Sequence, residues 1–185
     1  MNAMEALGTC GNASLRKATR RVGQLFDDAM RAGGLRATQQ HLLAQVSAMQ
    51  APTMKKLASA LVMDLSALGH TLQPLLRDGY VPLSVNKDDR RSKLVMITDL
   101  GRLKLESSTV LWRDAHSRFE AALGKERAEQ LLEILDAVAS PSFSTAFRNF
   151  EVLRNAEKSQ RGVETASRPR RSRPALQASI ARPPK

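Results

Sequence analysis

Cysteine is nearly absent from this chain. Cys10 is the single thiol among 185 residues, so no internal disulfide framework can staple the fold, and a reducing cytoplasm is the expected setting. Long apolar runs are missing too. Nothing approaches the roughly 20 residues that a membrane-spanning helix needs. The opening MNAMEALGTCGNAS lacks the basic start and apolar stretch of a signal peptide. The three histidines, His41, His70 and His116, share no metal-ligand spacing, and no metal site or cofactor is expected. No glycine-rich phosphate loop accompanies the Gly-Lys pair at 124–125. No Ser/His/Asp order follows a strained turn. An enzyme is not expected.

Acidic residues are outnumbered by 29 Lys and Arg to 18, giving a formal net charge of +11. Such an excess implies a polyanion nearby, although it also serves solubility and non-specific binding. Eight basic and two acidic residues lie within 155–185, so this end of the chain carries more than half of the excess.

The remaining pattern is largely helical. Leu15, Ala18, Val22, Leu25, Phe26 and Ala29 recur at helical spacing with charged residues between them, which predicts an amphipathic helix over 12–32 that Gly33-Gly34 stops. A second helix is expected over 37–49, with Leu42, Leu43, Val46 and Met49 inward and Thr38 as its cap. Pro52-Thr53 then starts a short helix capped by Thr53. Val62-Met63-Asp64 makes a turn, and Asp64 caps a helix running to about Arg77. Leu57 and Leu61 in one helix and Leu68, Leu72 and Leu75 in the other supply a shared core, the outline of a helix-turn-helix. Gly69 weakens the second of these helices, and Pro74 predicts a kink or an early end in its last turn.

After Asp78-Gly79, strands are expected over 80–85 and 92–97, joined by the polar turn 86–90. A hairpin placed directly behind a helix-turn-helix is a winged helix. Thr98 caps a long helix to Leu123, Gly124 interrupts, and KERAEQLLEILDAVA forms another helix ending at Ser140-Pro141. A helix of about 25 residues spans nearly 40 Å, more than a head of roughly 50 residues can cover. The apolar faces outside the head are therefore expected to be buried against a second copy of the chain.

GLRATQQHLLAQV, TMKKLASALVMDLSALGHTLQPLLRDGYV and DDRRSKLVMITDLGR, in this order and spacing, resemble the multiple antibiotic resistance regulator (MarR) family. The resemblance covers about 12–140. Its most specific piece is Asp89-x-Arg91 in the hairpin, followed by Thr98 and Gly101. It implies a mainly α (α+β) fold: a winged helix-turn-helix with long N- and C-terminal dimerisation helices. The expected division is a flexible N-terminus over 1–11 and a winged-helix domain over 12–140. Within that domain the helix-turn-helix and wing occupy 53–97, and the dimerisation helices 12–32 and 98–140. An extra short helix is expected within 141–157. A basic tail over 158–185, rich in Arg, Pro, Ser and Ala, cannot bury a core and is expected to be disordered.

The function implied is that of a sequence-specific, double-stranded DNA-binding transcriptional regulator. It would be a homodimeric repressor on a pseudo-palindromic operator with half-sites about 10 bp apart, released by a small, aromatic and anionic ligand. Lys87, Arg90, Arg91 and Lys93 are the wing candidates for phosphate and minor-groove contact, with Asp89 pairing with Arg91 to direct it. Ser66, His70 and Gln73 face outward on the second helix and can reach base edges or phosphates. Ala67 and Gly69 have no polar reach, so direct readout is expected to be sparse, with apolar contact to thymine methyls from Leu65 or Ala67. Thr53, Lys55 and Lys56 lie where the preceding helix would cross the backbone. A ligand site would draw on Arg16, Arg20 and His41 for a carboxylate and on Phe26, Met30 and Trp112 for apolar walls. Cys10, near a helix N-terminus, offers an alternative: a redox switch. It has no second cysteine, and Tyr80, the only tyrosine, belongs to the wing. The other alternative is a non-specific or architectural DNA-binding protein driven by the tail.

Overall fold

The computed structural model describes residues 10–150. The expected basic tail, and all but the last two residues of the expected flexible N-terminus, lie outside them. The described chain forms two compact units that divide between Glu133 and Ile134. The elements run α1 (Gly11–Met30), a 3-10 turn (Arg31–Gly33), α2 (Ala37–Met49), α3 (Met54–Ala60), α4 (Leu65–Arg77), β1 (Leu83–Val85), β2 (Lys93–Val95), α5 (Asp99–Leu123), α6 (Lys125–Ala139) and α7 (Pro141–Arg148). The unit boundary falls inside α6. No described helix is long and apolar enough to cross a membrane.

The core of the first unit is aliphatic. Leu42, Leu43 and Val46 of α2, Leu57 and Ala58 of α3, and Leu68, Leu72 and Leu75 of α4 pack with Leu35, Val81 and Val95. Each fully buried leucine contributes on the order of 1.5–3 kcal/mol. The four-residue and three-residue spacings of Leu68, Leu72 and Leu75 put them on one stripe of α4, which leaves the opposite face of that helix free. Gly34, with φ of 66°, ends the turn after α1, as Gly33-Gly34 implied.

Local chemistry differs from expectation in three places. Thr38 does not cap α2. The helix begins at Ala37, and its first amides are taken by Gln39, whose Oε1 accepts from Arg36 N at 2.8 Å, and by Asp27 of α1, which accepts from Ala37 N at 2.8 Å. Two longer side chains supply the oxygens that a capping hydroxyl would have given. Pro74 does not end α4 early, because the helix continues to Arg77. A proline four residues from the end removes one amide donor only, and its partner carbonyl would be that of exposed His70. The strands are also shorter than the apolar alternation suggested. Leu83, Ser84 and Val85 pair antiparallel with Val95, Leu94 and Lys93. Pro82 accepts from Met96 N at 3.1 Å but has no amide to donate, so the ladder stops there.

β2 has a second neighbour that no local pattern foretells. Val95 N donates to Pro52 O at 2.9 Å, and Thr53 bridges Leu94 antiparallel. The wing is thereby tied to the residue that starts α3.

In the second unit, α7 follows α6 through Ser140. Its Oγ accepts from Phe143 N at 3.2 Å, and Pro141 occupies the first turn. Pro141 suits that position because the missing amide would be unpaired anyway. The expected extra helix thus begins at Pro141 and reaches Arg148; the stretch from 151 to 157 is outside the described residues.

Candidate nucleic-acid interface

α3 and α4 are joined by a tight turn. Thr53 caps α3, its Oγ1 accepting from Lys56 N at 3.2 Å. Asp64 caps α4 by accepting from Ala67 N at 2.7 Å. Between them Met63 N donates to Ala58 O at 2.9 Å and Val62 N to Ser59 O at 3.2 Å, the two bonds of a Schellman closure. That closure puts Val62 in the left-handed region with φ of 52°, a conformation that is a strained outlier for a β-branched residue.

With its leucine stripe against α2 and α3, α4 turns Leu65, Ser66, His70 and Gln73 outward, and all four are exposed. Lys55 and Lys56 are exposed on the first turn of α3. Arg77 closes α4 beside Asp78, whose carboxylate accepts from Nε at 2.9 Å. That hydrogen bond and the adjacent negative charge raise the arginine pKa above its ordinary value.

The wing tip is shaped by side chains bonding to main chain. Asn86 N and Nδ2 donate to the backbone oxygen and hydroxyl of Ser92, both at 3.1 Å. Asp88 N donates to Asn86 Oδ1 at 3.1 Å. Asp89 Oδ1 accepts from the backbone amide of Arg91 at 3.0 Å, and its carbonyl accepts from Ser92 N and Oγ, both at 2.9 Å. Asp89 therefore holds Arg91 through the main chain. Among the described residues no ion pair joins their side chains, so the carboxylate sets the turn rather than aiming the guanidinium. Lys87, Asp89, Arg90, Arg91 and Lys93 are all exposed. No ion pair among the described residues engages any of the four cations, so their charge is directed at solvent or a partner. Asn86 and Ser92, which sequence reading did not single out, build this tip; their tendency to bond nearby backbone was the signal available.

Residues 35–93, from just before α2 through the wing tip, match the profile of the MarR family. Those residues are a MarR-family domain. Solved structures agree over a longer span. The transcriptional regulator MosR of M. tuberculosis, solved in complex with DNA, superposes with a TM-score of 0.66 at 28% identity, covering 74% of this chain and 98% of that one. The transcriptional repressor CouR, solved on a 23-mer DNA duplex, gives 0.66 at 25% identity, covering 76% and 99%. A probable transcriptional regulator from Pseudomonas aeruginosa gives 0.65 at 25%, covering 71% and 98%. No curated protein matches the sequence. Over these residues the chain shares the fold of MarR-family transcriptional regulators.

The residues considered for a ligand do not gather at one place in the described residues. Phe26 lines an apolar groove between α1 and α5 with Val22, Leu25, Ala29, Ala115, Phe119 and Ala122. Arg20 lines a different, polar groove on α1. Met30 is fully buried, while Arg16 and His41 are exposed. Trp112 stacks on His116 with ring centroids 5.1 Å apart and planes 7° from parallel, and Phe119 meets Phe26 edge-on at 6.3 Å. Cys10 is half-buried and precedes α1; its carbonyl accepts from Ser14 N at 3.0 Å.

Proposed function

We propose that the chain is a sequence-specific repressor that binds a pseudo-palindromic operator as a homodimer. The observation that carries this reading is the wing. Four exposed cations, without ion-pair partners among the described residues, stand on a turn held by Asp89, Asn86 and Ser92, behind a helix whose outward face carries Ser66, His70 and Gln73. In this reading α4 enters the major groove and Lys87, Arg90, Arg91 and Lys93 reach phosphates and the adjacent minor groove, where a narrow groove favours arginine. Thr53, Lys55 and Lys56 meet the backbone at the start of α3. Two heads on one dimer engage half-sites about one helical turn, or 10 bp, apart. Repression is the mode of CouR, which supports the same sign of control here.

Release by a small ligand is part of the proposal. The apolar groove of Phe26 and Phe119 lies between α1 and α5 with Arg118 and Asp28 in its lining; Asp28 is engaged by Arg31, and Arg118 is the cation that would meet an aromatic anion. Binding there would weaken the DNA complex by a coupling of about 1–3 kcal/mol.

The test is selection of genomic fragments by the purified protein at physiological salt, beside Arg91→Ala. A short shared palindrome recovered by the wild-type chain and lost by Arg91→Ala is the expected result. Uniform recovery by both proteins, with no shared site, would overturn the reading in favour of a non-specific binder.

A further inference from the structure

Gly69 is the residue of α4 that the fold does not explain. It sits inside the helix without a positive φ, and a Cβ built on it meets nothing within 4 Å. Neither a turn nor a crowded neighbour requires glycine there, yet glycine weakens a helix interior relative to alanine. Its neighbours suggest what it serves. Leu65, Gly69 and Gln73 follow one another at four-residue intervals along one side of the outward face, with Ser66 and His70 beside them. Leu65 opens the helix at 54% exposure, an isobutyl group left in solvent at the end of α4 nearest the turn.

Cations are scarce in this helix. α4 holds no lysine, and its one arginine is Arg77, the last residue, bonded to Asp78. The bidentate arginine–guanine pair is the commonest specific contact in the major groove, and α4 has no free arginine to make it. The thymine C5-methyl is the apolar mark that the same groove displays.

We infer that α4 reads its half-site by close approach and methyl contact: Gly69 lets the helix backbone settle near the bases, and Leu65 packs on a thymine methyl group. This rests on the DNA-binding reading above and adds the chemistry of the half-site. Specificity at that position then comes from a methyl group, and guanine is not selected by α4.

The operator recovered by genomic selection is resynthesised with deoxyuridine replacing thymidine at one half-site position at a time, which removes only the methyl group. One position should lose affinity by about fourfold, and by about 15-fold when changed in both half-sites, the factors that burial of one and two methylene-sized groups carry. Leu65→Ala should bind the thymine and uracil operators equally at that position, while Leu65→Met keeps a preference for thymine. Gly69→Ala should melt at a higher temperature yet bind the operator more weakly. An operator indifferent to every uracil substitution, or a Gly69→Ala protein that binds as tightly as the wild-type chain, overturns the inference and leaves the regulator standing. Failure to recover any shared operator overturns the reading beneath it.

Discussion

Single residues carry much of what distinguishes this head from a generic pair of helices. Val62 stands where a Schellman closure favours glycine, at 73% exposure and with φ of 52°. Its side chain has little packing to lose, and the left-handed conformation costs an L-residue roughly 1–2 kcal/mol. Val62→Gly should therefore raise stability by about 1 kcal/mol after the added freedom of the unfolded glycine is subtracted. A urea titration reads this directly, and an unchanged or lowered midpoint would show that the turn is not strained. Asp89 illustrates a different lesson. The Asp-x-Arg spacing was legible as a wing signature, but its use was not, because a carboxylate two residues before an arginine can reach the main-chain amide as readily as the guanidinium.

At the scale of elements, the joint between α4, the wing and α5 is tightly held. Thr98 Oγ1 donates to Gly79 O or Tyr80 O, at 2.8 and 3.1 Å, and accepts from Gly101 N at 3.0 Å. Thr98 N donates to Tyr80 O at 3.0 Å. The first turn of α5 is drawn so close to this backbone that a Cβ on Gly101 would collide with Tyr80 O. A carbonyl cannot yield as a flexible side chain can. Gly101→Ala should cost about 1–3 kcal/mol, the range for overpacking a tight site, seen as a lower melting temperature. The threonine-to-glycine ending of DDRRSKLVMITDLG is thus a clasp fixing the wing and α5 to one stretch of backbone. Spacing alone gave the cap; the crowding at Gly101 appears only once Tyr80 is brought to it from 21 positions away.

For the molecule as a whole, the first unit leaves apolar surface uncovered. Leu25 of α1 is 58% exposed, and Leu100, Leu103 and Val110 of α5 are 55–64% exposed. In the second unit Phe143 and Phe147 of α7 are exposed as well. Large apolar side chains left exposed in this number on α1 and α5 suit an association face. If a second copy covers it, melting must depend on protein concentration, because mass action favours the folded dimer. The melting temperature should rise by several degrees across a hundredfold increase in concentration, with a dimer mass by sedimentation. A concentration-independent transition with a monomer mass would rule the homodimer out.

Sequence by itself determined the order of helices and hairpin, the leucine stripe of the head, both caps of the helix-turn-helix and the basic wing. Each of these follows from periodicity or from a side chain bonding within three residues of itself, and such local rules hold before the chain folds. Tertiary structure alone decided the rest. It brought Asp27 to the start of α2, Pro52 to β2 and Tyr80 to Gly101. It separated Arg20 from Phe26 into different grooves, and it showed that no contact among the described residues requires glycine at 69. These depend on which distant backbone arrives beside a residue, and neither composition nor spacing carries that information.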